Sequence, residues 1–335
     1  MPMRHMLWRR CFHQSSRLFA PTIDIKNIVF KTKVDHPSIS KAKAKSPKPL
    51  QSKHPKTVPT PDFSRLYKKY NKGYIEPTAS DVNSVNHFFN IADIKYEWSA
   101  GQFIDVPGEK LREKYDEELK VRSADSTKKF PGKTYVPFEL VNGLPEVAFL
   151  GKSNAGKSTL LNNLTTDLKR TSLDGFARAS RWAGFTKTLN SFNVGNRFRI
   201  IDTPGYGFNS SNTQGILTME YLKNRKELSR CFLLISAEQG FGEFDVQVID
   251  FMKSNAIPFE IVFTKMDKVQ NIKDFEKTLE ADQEFLRSTM ARLIFTNSSV
   301  TKTCKKRFGI DLLRLIILES CGLSPRLKPS RKRSV

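Results

Sequence analysis

The 335-residue chain predicts an α/β domain: a mainly parallel, six-stranded sheet with helices on both faces. Three observations carry that reading. Short apolar runs at about 145–150, 230–236, 259–264 and 291–297 read as buried strands. Helical stretches at about 157–168, 244–255, 271–289 and 310–320 alternate with them. Such alternation winds a parallel sheet and places ligand loops at the strands' carboxyl ends. Finally, Leu189–Val194 and Arg197–Asp202 flank Gly195-Asn196, a hairpin signal that supplies the antiparallel edge. Apolar residues within 244–252 are read as core.

The first of these strands, Val147-Ala148-Phe149-Leu150, runs into Gly151-Lys152-Ser153-Asn154-Ala155-Gly156-Lys157-Ser158-Thr159. That loop fits Gly-x-x-x-x-Gly-Lys-[Ser/Thr], in which backbone N–H groups surround the phosphates of a nucleotide. Lys157 can reach the β- and γ-phosphates, and the Ser158 hydroxyl can ligate Mg²⁺. Gly151 and Gly156 leave no Cβ in the way of the tight turn or the phosphate.

Three further strand ends follow in order. Asp202, after Phe198–Ile201, can hold Mg²⁺ through water, and Gly205 can offer its N–H to a γ-phosphate. Thr264-Lys265-Met266-Asp267 ends the next strand. Asp267 can accept from the N1–H and exocyclic amine of guanine, a donor pair that adenine lacks, while the Lys265 stem covers the purine face. Asn297-Ser298-Ser299 ends the last strand in a loop suited to close over the base. Any one of these is an ordinary loop; four in this order specify a guanine-nucleotide site. Between them, 180–192 should carry a switch threonine that brings its hydroxyl to Mg²⁺. Spacing alone leaves Thr186 and Thr188 equal.

With these motifs the chain resembles the EngB GTPases of the TrmE–Era-like group, which have a Ras-like P-loop G domain. The resemblance rests on PEVAFLGKSNAGKSTLLN (145–162), SRWAGFTKTLNSF (180–192), IIDTPGYGF (200–208), TKMDK (264–268) and NSS (297–299), and spans roughly 83–323. It aligns Thr186, rather than Thr188, with the switch threonine. It implies a GTPase that hydrolyses GTP to GDP with Lys157, Thr186 and Gly205 in the catalytic roles. Mg²⁺ is held by Ser158, Thr186 and, through water, Asp202. Three departures stand out: a charged insertion at about 108–143, Ala183, Phe185 and Lys187 at switch positions where the family has other residues, and a shortened 208–221 segment.

Composition sets the layout around this domain. The formal charge of +22 is uneven: residues 1–62 hold 13 Lys/Arg against Asp24, Asp35 and Asp62, and 324–335 hold five with no acid. Excess charge in tails points to a polyanion partner. Residues 1–24 begin with Arg4, Arg9, Arg10 and Arg17, no acid before Asp24, and Leu7, Trp8, Phe12, Leu18 and Phe19 for one helix face. That is the composition of a mitochondrial targeting peptide. Residues 25–82 read as a disordered basic linker, with six prolines and six lysines between Pro37 and Pro61. Residues 83–323 form the G domain and 324–335 a disordered basic tail. Cys11, Cys231, Cys304 and Cys321 form no Cys-x-x-Cys pair, which fits a reducing interior such as the mitochondrial matrix. No apolar run reaches membrane-span length.

Two functional classes follow. In the first, the resemblance implies a switch for large ribosomal subunit assembly; the targeting peptide makes the substrate the mitochondrial ribosome, the basic tails contact rRNA phosphates, and the protein is expected to be a monomer. In the second, the chain is a non-ribosomal switch or tether in RNA modification or in organelle or cell division. Tyr206 stands where a Ras-like protein has its catalytic Gln, so hydrolysis by the isolated protein is expected to be slow. Asn154 either hydrogen-bonds within its loop or holds K⁺ beside the phosphates.

Overall fold

The computed structural model describes residues 63–124, 137–141, 143–170, 172, 173, 175, 187–206, 212–300, 304 and 306–331. The expected targeting peptide, the linker up to 62, Thr186 and residues 207–211 lie outside the described residues.

In spatial order the strands are β1 (Ile94–Ala100), β3 (Leu189–Val194), β4 (Phe198–Asp202), β2 (Glu146–Gly151), β5 (Leu228–Ser236), β6 (Phe259–Thr264) and β7 (Leu293–Phe295). From β4 onward the neighbours pair in parallel, while β1, β3 and β4 are antiparallel. The sheet has seven strands, so the expected count of six is corrected. The added strand, β1, is buried only at Ile94 and Ala100, and its register shifts between Tyr96 and Trp98. An edge strand with an exposed middle has no apolar run to reveal it.

The central strands are buried on both faces, and side chains alternate between two cores. Ala148, Leu150, Cys231, Leu233, Ile261 and Phe263 face one, and Val147, Phe149, Phe232, Leu234 and Val262 face the other. The second core is closed by α2 (Ala79–Ile91), α4 (Lys157–Thr165) and α9 (Ile310–Ser320), through Phe88, Phe89, Leu160, Leu164, Leu313 and Ile317. The first is closed by α1 (Phe63–Tyr70), α5 (Asn212–Asn224), α6 (Glu243–Ser254), α7 (Ile272–Ala281) and α8 (Gln283–Thr289). One helix was expected over 271–289. Asp282 ends α7 and starts α8, so two short helices stand in its place.

Residues 63–82 are packed against the domain and so are not part of an extended linker. Leu66 of α1 is buried, and the Asn71 side chain donates to Leu293 O at 2.9 Å and accepts from Leu293 N at 2.8 Å. The amide thereby pairs the open edge of β7 as another strand would. The tail is also docked as far as Arg331. Asp93 N donates to Ser330 O at 2.8 Å and Ser330 N to Gly195 O at 2.9 Å, beside the β3–β4 turn. Gly195 is needed there: at φ +57° a Cβ would lie 2.5 Å from Pro329.

The charged insertion opens with α3 (Glu109–Ala124), in whose first turn Glu109 and Arg112 are buried. Arg225 Nη1 reaches Glu109 at 2.5 Å and Nη2 reaches Glu146 at 2.7 Å, while Arg112 Nη2 donates to Glu227 at 2.6 Å. This ion cluster ties α3 to the amino ends of β2 and β5. Among the described residues no helix is long and apolar enough to cross a membrane.

Candidate nucleotide site

At the opposite end of the sheet, β2 passes into the phosphate loop and α4. The loop turns through two left-handed residues, Asn154 at φ 66° and Gly156 at φ 94°, the second being the N-cap of α4. No side chain caps α4, so its first backbone N–H groups are left for a ligand. Gly151 cannot carry a Cβ, which would lie 2.6 Å from Leu234 O. Thr264 Oγ1 donates to Ala155 O at 2.7 Å, fixing the loop against β6.

Lys157 is buried, and its Nζ donates to Gly151 O at 2.9 Å and Lys152 O at 3.1 Å. Burial lowers this ammonium to about 8, with Asp202 opposing the shift. The Asp202 carboxyl is raised by burial, against the pull of Lys157 and Ser158. Ser158 Oγ donates to Asp202 Oδ2 at 2.9 Å, while Asp202 Oδ1 is buried with no hydrogen-bond partner among the described residues. A hydroxyl and a carboxylate oxygen meeting beside an orphaned buried oxygen fit a hard divalent cation such as Mg²⁺. Among the described residues no group of three or more His, Cys, Asp or Glu could hold a metal. The fit is therefore to an ion that also takes ligand and water oxygens.

Gly205 lies against the phosphate loop so closely that a Cβ would sit 2.8 Å from Ser153 Oγ. Lys152 forms an isolated parallel bridge with Tyr206. At the base end, Lys265 is left-handed at φ 57° and starts the short 3₁₀ turn that carries Asp267. Burial raises the half-exposed Asp267 carboxyl and lowers the Lys265 ammonium. Asn297 is buried, and its side chain serves its own loop: Oδ1 accepts from Phe308 N at 2.7 Å and Nδ2 donates to Ser299 O at 3.0 Å. Ser298 Oγ accepts from Asn163 Nδ2 at 3.0 Å. The side chains of Asn297 and Ser298 are thus engaged within the protein, which leaves chiefly the loop backbone for a ligand. Thr159 lies in the first turn of α4, and Thr188 Oγ1 is bonded to Asn190 Oδ1 at 3.2 Å.

A family model described as "50S ribosome-binding GTPase" matches residues 146–265. The chain is similar to a probable GTP-binding protein EngB of Roseobacter denitrificans. The two are 35% identical over 192 residues, 53% of this chain and 83% of that one. The chain belongs to the EngB family of GTPases. It is also similar to a Saccharomyces cerevisiae protein named MIOREX complex component 8. That match is 43% identical over 312 residues, 90% of this chain and 96% of the other.

Several residues that shape this EngB site carry no motif. Arg314 on α9 is fully buried. It donates to Leu164 O at 3.0 Å and Thr166 O at 2.8 Å, and its guanidinium lies 5.1 Å from the Phe89 ring centroid. Burial lowers it to about 9, with Arg307 adding to the shift. A guanidinium on the last carbonyls of the phosphate-loop helix both caps them and opposes the helix dipole. Arg307 donates to Asn163 Oδ1 at 2.7 Å, joining the base loop to the same helix. Within IDLLRLIILES an arginine reads as solvent-facing, so its burial has no sequence signal.

Proposed function

We propose that the protein hydrolyses GTP to GDP and phosphate as a switch assisting assembly of the mitochondrial large ribosomal subunit. The observation that carries the chemistry is the Ser158–Asp202 pair beside Lys157, with Asp202 Oδ1 left open. The ribosomal part is supported by the family description and by the name of the yeast relative. A mitochondrial location is supported by that name and by the basic, acid-poor start of the chain, and within the organelle we place the protein in the matrix. The protein acts as a monomer, its amino terminus is removed on import, and the basic termini contact rRNA phosphates.

Phosphoryl transfer of this kind needs positioning and charge neutralisation rather than a covalent step. Lys157 Nζ exchanges its two loop carbonyls for phosphate oxygens. The loop amides and the uncapped start of α4 take the rest of the phosphate charge. Ser158 and Thr186 and, through water, Asp202 would hold Mg²⁺, which would supply neutralisation of phosphate charge. Gly205 turns its N–H to the γ-phosphate. Asp267 reads the guanine edge, with Lys265 over the base.

Tyr206 is buried with its hydroxyl on Asp245, so no side chain from that position reaches an attacking water. Hydrolysis by the isolated protein is therefore slow. Asn154 is exposed, and its side chain makes no hydrogen bond among the described residues, which leaves its oxygen available to K⁺ beside the phosphates. Faster hydrolysis in KCl than in NaCl, lost in Asn154→Ala, tests that role.

The ribosomal reading is tested by co-sedimentation with mitochondrial ribosomal particles. Binding to the large subunit with a non-hydrolysable GTP analogue, and release with GDP, is expected. Equal sedimentation with both nucleotides, or none, would favour a switch or tether elsewhere.

A further inference from the structure

Asp245, at the third position of α6, is buried and gathers donors from three separate segments. Its Oδ2 accepts from Gly242 N at 2.8 Å and from Lys152 Nζ of the phosphate loop at 2.7 Å. Its Oδ1 accepts from the Tyr206 hydroxyl at 2.8 Å. Burial, reinforced by the Asp245 charge, holds the Tyr206 phenol well above its usual range, so it remains a donor. Tyr206 is fixed at its backbone as well: Ser153 N donates to Tyr206 O at 3.1 Å, and Tyr206 N to Gly151 O at 3.4 Å. One residue is thus tied to the phosphate loop by its main chain and to α6 by its side chain. The residue before it is Gly205, already seated on Ser153.

An ordinary helix cap would have satisfied Asp245 with Gly242 N alone. Instead, two of its three bonds run to segments that border the γ-phosphate position. The α6 end of the tether cannot drift, because Val248, Ile249 and Met252 bury that helix in the sheet. We propose that Asp245 and Tyr206 form a latch that pre-sets Gly205 for the γ-phosphate. They are positioning residues that favour triphosphate over diphosphate. Ordering Gly205 before the ligand arrives removes an entropic cost of closing over the phosphate. Only a ligand with a γ-phosphate gains from that order; GDP ends short of Gly205.

The proposal rests on the reading of Gly205 as a γ-phosphate donor, and the test separates the two. The full chain is titrated with fluorescent GDP and with a fluorescent non-hydrolysable GTP analogue in Mg²⁺. Wild-type protein that fails to bind the analogue would overturn the nucleotide reading itself. Given wild-type binding, Tyr206→Phe removes one hydrogen bond to a charged acceptor and is expected to weaken the analogue about five- to tenfold. GDP affinity, which also reports that the variant is folded, changes by less than about twofold because the Asp245–Lys152 pair and the backbone bonds of Tyr206 to the phosphate loop stay in place. Should Tyr206→Phe fail to fold, Tyr206→Met removes the same hydroxyl with an adaptable apolar side chain and leaves the Asp245–Lys152 pair in place. The same selective loss is then expected. Unchanged affinity for the analogue, or parallel losses for both nucleotides, overturns the latch.

Discussion

At the amino ends of the strands, Arg225 lies between Glu109, Glu146 and Glu227 at 2.5, 2.7 and 3.1 Å, and Tyr221 donates to Glu146 at 2.6 Å. At the carboxyl ends, Lys157 rests on two neutral carbonyls, and Asp202 keeps one buried oxygen without a partner. Both groups are buried charges on the same strand layer. In the first, burial works against the Arg225 charge, but Glu146 and the neighbouring carboxylates outweigh it and raise the guanidinium. In the second, burial wins and pushes Lys157 and Asp202 toward their neutral forms. Charges matched by opposite charges keep their charged forms, even with Arg112 Nη1 and Glu227 Oε2 left without hydrogen-bond partners among the described residues; an ammonium set on neutral carbonyls is a place for a ligand's charge.

The comparison can be broken first at Arg225. Arg225→Met strands Glu146 and Glu109 without their main partner and is expected to cost about 3–5 kcal/mol of stability. Denaturant unfolding reads that loss, and GTP affinity of the folded fraction should not change. Lys157→Ala is the mirror case. Losing charge-assisted contacts to phosphate should weaken GTP by roughly a hundredfold or more. The urea midpoint should hold or rise, since a desolvated charge has gone. If Lys157→Ala unfolded the domain, or Arg225→Met abolished GTP binding in folded protein, the division between the two ends would be wrong.

Asp267→Asn sharpens the ligand end alone. Replacing the charged acceptor should weaken GTP by about ten- to a hundredfold and improve xanthosine triphosphate, which presents a carbonyl acceptor to the Asn amide where guanine has its amine. Competition titration with both nucleotides checks it.

The smallest effect is a pH dependence. The nucleotide-free Lys157 ammonium titrates near 8, and phosphate would keep it charged. Its charged form is therefore lost as pH rises through 8 in the free protein and recovered on binding. At pH 8.5 GTP binding should take up a proton, and affinity should be about fourfold lower than at pH 7. Calorimetry in two buffers of different ionisation heat measures the uptake; no uptake would mean that Lys157 is already charged.

How much of this was visible in the sequence also differs between the two ends. The ligand end is written in contiguous motifs, because a phosphate loop needs its glycines, lysine and hydroxyl at fixed spacing. The central strands were legible for a similar reason: burial on both faces leaves an unbroken apolar run. The amino end was not legible. Glu109 and Arg112 sit in EKLREKYDEELK, which reads as a solvated helix, and only the fold brings them to Arg225. Edge pieces were missed too. The middle of β1 is polar, and α1 is short, with Leu66 as a fully buried anchor. Asp245 reads as an ordinary first-turn acid, since its bonds to Lys152 and Tyr206 cross long sequence separations.

The account stands most directly on what the open end binds. Isothermal titration of the wild-type chain with GTP in Mg²⁺, repeated in a hundredfold excess of ATP, measures it. Undiminished GTP binding in the presence of ATP is the predicted result. Displacement of GTP by ATP, or no heat with either nucleotide, would contradict it.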